Sequence, residues 1–303
     1  MRNMRVWKYI DEVARAGSVR QAAERVNITP SALLRRLQDV EHDLGCAIFE
    51  RHSSGMKLTA AGELLMRWIR NQNADLARIR SQIGELSGLQ LGEVSVACSQ
   101  AAQYFLAHQI SLFRKNYPKL RFVVSVCDHR TALQELRDFE CDLVLMFRPF
   151  ETSELRTLHA VEQPMMAVMA SDHPLASKTK VQLSDCGLYD LAMSDPSLGG
   201  REPLEHLLIA RTGRANVVVE LNSFAMIPSI VIGTQVIAFQ LEIGTSEWQN
   251  DPRLAVRPIS DAEAVHSQVI LGQLKGRALP TGSAKFIEHM RGALGTRAMD
   301  AAA

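Results

Sequence analysis

The sequence of 303 residues has no apolar stretch long enough to cross a bilayer, and its five cysteines never form a CxxC pair. Its nine histidines are dispersed, without an HExxH motif or another metal-ligand spacing. No GxSxG, phosphate-binding P-loop, GxGxxG or paired-carboxylate pattern occurs. These absences argue against a membrane protein and against the common classes of hydrolase, nucleotide-binding enzyme and metalloenzyme. We therefore expect no metal, no cofactor and no enzymatic activity.

The amino-terminal segment carries Asp11 and Glu12 where a secretory leader would be apolar, so we expect a cytoplasmic protein. In a reducing compartment scattered cysteines are typical of buried thiols, although redox sensing stays open as an alternative. The cysteines are Cys46, Cys98, Cys127, Cys141 and Cys186.

Charge is unevenly distributed along the chain. Residues 1–88 contain 14 basic and 10 acidic side chains, whereas the remainder contains 20 basic and 23 acidic ones. The length favours more than one domain. A basic amino-terminal end suggests that a polyanion binds there, although the excess is small.

Helix boundaries can be recognised in the first 45 residues. Gly17 suits the left-handed position that ends a helix, and Ser18 suits the N-cap of the next. Thr29 supplies another N-cap and Pro30 the first position of a third helix, predicted over residues 30–44. Helix, tight turn and helix form the arrangement of helix-turn-helix DNA readers.

The third helix has an apolar stripe and a polar face. Leu33, Leu37, Val40 and Leu44 follow a 4-3-4 spacing, which indicates a buried side. On the other side Arg35 could read a guanine or hold a phosphate. The alternative is an amphipathic helix whose polar face is only solvated. The DNA contacts predicted here are Thr29, Pro30, Ser31, Leu34, Arg35, Arg36 and Gln38.

Two short apolar segments flank a glycine-containing turn after this helix. Residues 47–51 and 56–58 predict a hairpin, on which Arg51 and Lys57 could contact backbone phosphates. A hairpin in this position is a wing. It favours a winged helix-turn-helix DNA-binding domain over residues 1–58.

The segment GSVRQAAERVNITPSALLRRLQDVEHDLGCAIFERHSSGMKLTAAG, residues 17–62, resembles the signature of LysR-type transcriptional regulators, in register and without a gap. The resemblance implies a transcriptional regulator that binds double-stranded DNA and a small-molecule effector. It also implies a homodimer that assembles into a homotetramer, and hence a pseudo-palindromic operator. Leu34 stands where the family usually has Ser or Thr, which concerns operator specificity; at this flank it could meet a thymine methyl group.

Residues 59–88 predict a long helix followed by a short hinge, residues 88–92. Spacings of four and three alternate along the helix, as in a heptad seam whose polar Gln72 could fix the register. The resemblance makes this the dimerisation helix; alternatively, the stripe packs on the chain's own body. The predicted seam consists of Leu65, Ile69, Gln72, Leu76, Ile79, Ile83 and Leu86.

From residue 93 onward short apolar segments alternate with helical patterns, which indicates α/β architecture with parallel sheets. The order resembles the LysR-type effector domain, which is similar to periplasmic solute-binding proteins. We therefore expect an α/β effector domain over residues 89–303, preceded by the largely α-helical winged helix-turn-helix domain. Subdomain I is predicted at about 93–162 plus 268–303, and subdomain II at about 163–267.

In folds of this kind ligands lie between the subdomains, at the carboxyl ends of strands. Ser99 follows the first predicted strand, where exposed N–H groups would favour an anion such as a carboxylate, although Ser99 could simply cap the next helix. Arg148 follows the third strand and could pair with a carboxylate, or lie on the surface. The predicted effector contacts are Ser99, Gln100, Ala101, Arg148, Ser194, Asp195, Asn222 and Phe224. A cytoplasmic metabolite-binding protein without a regulatory role is the second hypothesis.

Overall fold

The computed structural model describes residues 2–53, 55–86, 92–147, 152–196, 201–260 and 267–300. The chain divides into two compact units, Met1–Ala77 and Arg78–Ala303. The predicted hinge residues 88–91, Ser54 of the predicted wing turn and the predicted effector contact Arg148 lie outside the described residues.

The amino-terminal unit contains three helices, a hairpin and the first part of a fourth helix. Its elements are α1 (Arg2–Ala16), α2 (Val19–Arg25), α3 (Pro30–Leu44), β1 (Phe49–His52), β2 (Gly55–Leu58) and α4 (Ala60–Leu86), the last of which continues into the second unit.

Side-chain caps and left-handed residues set the helix ends as predicted. Ser18 Oγ accepts the N–H of Gln21 at the start of α2, at 3.5 Å. Thr29 Oγ1 accepts the N–H of Ala32 at the start of α3, at 3.3 Å. Gly45 ends α3 with a φ of 69°, a conformation that costs glycine little.

The apolar side of α3 lies in the core of this unit. Leu33 and Leu37 are buried and Val40 is half-buried against the same cluster. Leu44 differs from the prediction: it is the last residue of the helix and half of its side chain is exposed. The stripe is therefore one position shorter than its spacing suggested.

The first part of α4 belongs to the same core, which corrects the predicted dimer seam. Ile69 is fully buried there, and Leu65 packs against the cluster half-buried. A regular spacing of apolar residues predicts that one face of a helix is buried, but not what buries it. At Ile69 the core of the same chain's amino-terminal unit buries that face. The compact amino-terminal unit consequently extends to Ala77, beyond the expected boundary at residue 58.

A carboxylate on α3 holds the first strand of the hairpin. Glu41 Oε1 accepts the backbone N–H of Ile48 at 2.8 Å and that of Phe49 at 3.2 Å. These two donors lie at the start of β1 and, without Glu41, would be partly buried without a partner. Glu41 thereby fixes the end of α3 to the start of the hairpin.

The turn end of the hairpin lies against the turn between α1 and α2. The N–H of Met56 donates to the carbonyl oxygen of Gly17 at 2.8 Å. Gly55, with a φ of 117°, approaches so closely that a Cβ atom would overlap this oxygen. On the other side Thr59 Oγ1 donates to the carbonyl of Ala47 at 2.8 Å.

The second unit is built on two five-stranded sheets. After α4 its elements are β3 (Gly92–Cys98), α5 (Gln103–Asn116), β4 (Leu120–Val126), α6 (His129–Arg137), β5 (Leu143–Phe147), β6 (Leu155–Gln163), β7 (Met165–Ala170), α7 (Leu183–Cys186), β8 (Leu191–Ser194), α8 (Arg201–Thr212), β9 (Val217–Leu221), α9 (Ile227–Val231), β10 (Ile237–Leu241), β11 (Leu254–Pro258), β12 (Ser267–Leu274) and α10 (Thr281–Asp300).

The strand orders are β4-β3-β5-β12-β6 and β11-β7-β10-β8-β9, which confirms the two-sheet α/β architecture. The predicted parallel pairing holds for β3 with β4 and β5 and for β8 with β9 and β10, but each sheet is mixed. β12 pairs antiparallel with β5 and β6, and β7 pairs antiparallel with β10 and β11. β6 and β11 were not predicted, because β6 is largely half-exposed and lacks a continuous apolar run.

Side-chain amides connect the two subdomains, which in the structure are the parts built on the two sheets, with β6 up to Gln163 in the first. Gln100 Oε1 accepts the N–H of Phe224 at 2.8 Å, and its Nε2 donates to the carbonyl of Asn222 at 3.2 Å. At the end of β6, buried Gln163 accepts the N–H of Ile243 at 2.9 Å. In each case a side-chain amide from one subdomain bonds to backbone groups of the other. Because hydrogen bonds are directional, these contacts fix the relative orientation of the two subdomains as well as their separation.

We expect Glu41→Ala to lower the free energy of unfolding by about 1–3 kcal/mol, because two backbone donors lose their acceptor. Trp7 and Trp68, whose rings lie 5.0 Å apart in this unit, make near-ultraviolet circular dichroism a suitable measurement. The control is Asp39→Ala, an exposed carboxylate on the same helix. Equal melting curves for the two variants would show that Glu41 does not hold the hairpin.

Gln100→Ala should lower the free energy of unfolding by about 1–2 kcal/mol and accelerate hydrogen exchange at the Phe224 amide, because both bridging hydrogen bonds are lost. Gln103→Ala is the control, since this side chain makes no hydrogen bond to any residue that the structure describes. Unchanged exchange at Phe224 would contradict the bridge.

Candidate functional site

The outer face of α3 is open to solvent, whereas Leu33 and Leu37 on its inner side are buried. At the start of α3, Thr29 Oγ1 and Ser31 Oγ lie 3.2 Å apart and share a hydrogen bond. Leu34 is half-buried on the flank. The other predicted DNA contacts are all exposed: Thr29, Pro30, Ser31, Arg35, Arg36, Gln38, Arg51 and Lys57.

The two basic residues of the hairpin lie on opposite faces. In the antiparallel register Glu50 pairs with Lys57 and Arg51 with Met56, and paired residues share a face. On the face of Lys57, His52 Nε2 lies 2.8 Å from Glu50 Oε1. A DNA strand lying on one face of the hairpin therefore meets Arg51 or Lys57, but not both.

The second part of α4 carries an uncovered apolar stripe. Ile79, Ile83 and Leu86 follow spacings of four and three, with 44%, 58% and 90% of their surfaces exposed. Gln72 and Leu76 of the predicted seam are half-buried. Two further exposed apolar residues of α4, Leu64 and Trp68, were not in the predicted seam.

A cavity of about 360 Å³ lies between the two subdomains. Four of the predicted effector contacts line it, namely Ser99, Ala101, Ser194 and Phe224. The wall also contains residues that the sequence reasoning missed: His129, Phe147, Met165, Met193, Pro196, Arg201, Glu202, Pro203, Leu204, Phe239, Gln240, Leu241 and Ser267.

Three predicted effector contacts, Gln100, Asp195 and Asn222, do not line this cavity. The amide of Gln100 is engaged in the bridge to Asn222 and Phe224. Asp195 directly follows Ser194, and its N–H donates to the carbonyl oxygen of Leu221, which continues the pairing of β8 with β9. Neighbouring side chains of an extended chain point to opposite faces, so Asp195 lies on the face opposite to Ser194. Asn222 contributes its carbonyl to the bridge. The fourth, Arg148, lies outside the described residues.

The polar groups of the cavity wall are few. The N–H of Ser99 donates to the carbonyl oxygen of Leu145 at 2.9 Å. The side chain of Ser99 makes no hydrogen bond that would cap the following helical turn, contrary to the alternative that Ser99 simply caps a helix. His129 Nε2 lies 2.8 Å from the carbonyl oxygen of Phe147, and buried Gln240 accepts the N–H of Leu241. An apolar wall with a few directed polar groups suits a small organic molecule.

Arg201, at the start of α8, is the one arginine or lysine among the described residues of the wall. Its side chain is 11% exposed; Nε lies 3.1 Å from Glu205 and Nη2 2.7 Å from Glu220. Its Nη1 donates to the carbonyl of Ser194 at 3.4 Å. The hydrogen bond that Arg201 donates to Glu220 is the main cause that raises the pKa of Arg201, and the guanidinium in turn lowers the pKa of Glu220.

The cysteines of the second unit near β3 are poor candidates for redox sensing. Burial raises the pKa of Cys98 to about 12 and that of Cys127 to about 11. Both thiols are thus protonated near neutral pH, and the thiolate is the reactive form.

Over the described ranges, no group of three or more His, Cys, Asp or Glu side chains is arranged to hold a metal ion. In the same part of the chain, no helix combines the length and the apolar character needed to cross a membrane.

The geometry agrees with two comparisons of the chain with solved structures. The full-length regulator CbnR, complexed with its target DNA, superimposes with a TM-score of 0.65 at 18% identity, covering 96% of this chain and 99% of that one. The regulatory domain of CcmR from Synechocystis PCC6803, in complex with 2-PG, superimposes with a TM-score of 0.57 at 20% identity, covering 67% and 97%. These similarities show the fold.

Sequence comparison leads to the family. The transcriptional regulator CbbR of Sinorhizobium medicae (strain WSM419) is 29% identical over 210 residues, which are 69% of this chain and 67% of that protein. Residues 4–63 match the bacterial regulatory helix-turn-helix proteins of the lysR family, and residues 87–295 match the LysR substrate binding domain. The chain therefore belongs to the LysR family of DNA-binding transcriptional regulators, with an effector-binding domain.

Proposed function

We propose that this regulator works in the cytoplasm as a homodimer, assembled further into a homotetramer, that reads a pseudo-palindromic operator in double-stranded DNA. The proposal rests on the two-sided character of α3. Leu33 and Leu37 anchor the helix in the core, while Ser31, Arg35 and Gln38 on the other side stay free to meet base edges.

Within this proposal, Arg35 reads a base in the major groove and Arg36 holds a phosphate. Leu34, half-buried on the flank, meets a thymine methyl group through apolar contact. Arg51 or Lys57 supplies a further phosphate contact from the hairpin. The complex of CbnR with its target DNA supports the assignment by similarity of fold.

The proposed dimer uses the exposed stripe Ile79, Ile83 and Leu86 of α4. These side chains leave a large apolar surface in water in a single chain, and a second copy of the helix would cover it. A two-fold dimer presents two identical reading helices, which is why we expect inverted half-sites in the operator.

The proposed effector is a small carboxylate or another anion, bound in the cavity between the subdomains. Ser99 from the first subdomain and Ser194 from the second both line this cavity. A molecule held by both sides stabilises one relative arrangement of the subdomains, and so shifts the population of DNA-bound states. The 2-PG complex of CcmR supports an anionic effector.

Arg35→Ala should weaken binding to the DNA upstream of the protein's own coding region by about 1–3 kcal/mol, because a base contact is lost. Fluorescence anisotropy against this segment and a scrambled duplex, at several salt concentrations, measures it. A base reader loses discrimination between the two duplexes, whereas a phosphate contact lowers both affinities equally and reduces the salt slope by about one.

Arg211→Ala, which removes an exposed arginine from α8, is the matched control and should leave both affinities unchanged. An Arg35→Ala protein that still separates the two duplexes as the parent does would contradict the reading role.

Ile79→Asp should convert the dimer to monomers while each chain stays folded, because a charge is introduced into the apolar stripe. Sedimentation velocity measures the mass. Asn73→Asp places the same charge at an exposed position of α4 outside the stripe and should leave the mass unchanged. A dimer of unaltered stability in Ile79→Asp would show that another surface holds the chains together.

A further inference from the structure

Arg201 is the only arginine or lysine among the described residues that line the cavity. Its side chain is 11% exposed, so it lies mostly out of bulk water. A nearly buried cation must be neutralised, and here the carboxylates of Glu205 and Glu220 do so.

The guanidinium is held in a defined orientation but not saturated. A guanidinium has five N–H donors. Glu205 takes the Nε donor, Glu220 takes one on Nη2 and the carbonyl of Ser194 takes one on Nη1. Among the residues described, nothing accepts the second N–H of either terminal nitrogen. Each terminal nitrogen thus keeps one N–H for a further acceptor, and a guanidinium is suited to bind a carboxylate or phosphate through such donors.

The two counter-ions of Arg201 differ in how easily they can leave. Glu205 lies one turn along α8 and has 31% of its side chain exposed, whereas Glu220 on β9 has 56% exposed. A half-exposed carboxylate regains most of its hydration when it separates from its partner, so its exchange for another anion changes the free energy little.

We propose that Arg201 selects anionic effectors and that the carboxylate of Glu220 is the counter-ion that such an effector displaces. The inference rests on the proposed function of the cavity as the effector site, and it names the group that recognises the effector. The ligand class is a small molecule with a carboxylate or phosphate group at one end. Exchange of one carboxylate for another leaves the charge around Arg201 balanced, whereas a neutral molecule gains nothing there.

The experiment is isothermal titration of the full chain with malonate, succinate, inorganic phosphate and 2-PG, and with glycerol as the neutral comparison. We expect at least one anion to bind and glycerol not to bind. Arg201→Gln should weaken that binding by at least about tenfold, because a charged hydrogen bond is lost. Glu220→Gln should strengthen it, because the competing carboxylate is gone.

Two further variants keep the test decisive. Arg253→Gln removes an exposed arginine paired with Asp251, outside the cavity wall, and should leave binding unchanged. Arg201→Lys keeps the charge but cannot hold both glutamates in a fork, so intermediate affinity is expected. If Arg201→Gln fails to fold, the direction of the Glu220→Gln change decides.

The outcomes separate the inference from the proposed function. Ser99→Leu fills the cavity from the first subdomain and should abolish binding. If Ser99→Leu abolishes binding but Arg201→Gln does not weaken it, or Glu220→Gln weakens it, the cavity remains the effector site and the role of Arg201 is wrong. If no anion binds, or Ser99→Leu has no effect, both the inference and the proposed effector site fail.

Discussion

One carboxylate determines how the amino-terminal unit presents its surface. Glu41 accepts two backbone donors from the segment that enters the hairpin, and so sets the angle between α3 and that hairpin. Leu33 and Leu37 fix the rotation of α3 about its own axis by burial. The rotation of α3 about its axis and its angle to the hairpin together turn the side that carries Arg35 toward solvent. The exposed face is therefore largely a consequence of internal contacts, to which Thr29 adds the N-cap of α3.

Local features of the sequence predicted the fold wherever the determinants are local. The caps at Ser18 and Thr29 and the left-handed Gly45 act within one helical turn, and each was found at its predicted position. Where the determinant is a distant partner, prediction failed. The apolar spacing that includes Ile69 could not show whether the chain itself or a second copy would bury this residue. Likewise, β6 is stabilised by antiparallel pairing with β12, which lies over 100 residues away in the sequence.

The cavity was predictable in position but only partly in composition. Ser99 and Ser194 follow strands, and the rule that ligands lie at strand ends led to both. Gln100 is adjacent to Ser99 in sequence, yet its amide bridges the subdomains, a role decided by residues more than 120 positions away. Arg201 had no local signature, because its significance arises from Glu220 on another element.

The contact between Gly55 and Gly17 has a consequence for how such a protein can change. A Cβ on Gly55 would collide with the carbonyl of Gly17, and Gly17 adopts a φ of 61°, which strains most other residues. Gly55 cannot gain a side chain without displacing the turn between α1 and α2, so a change in DNA preference is open to outward side chains such as Leu34 and Gln38 on α3 or Lys57 on the hairpin. The turn end of the hairpin serves as a fixed mount on which different reading surfaces can be carried.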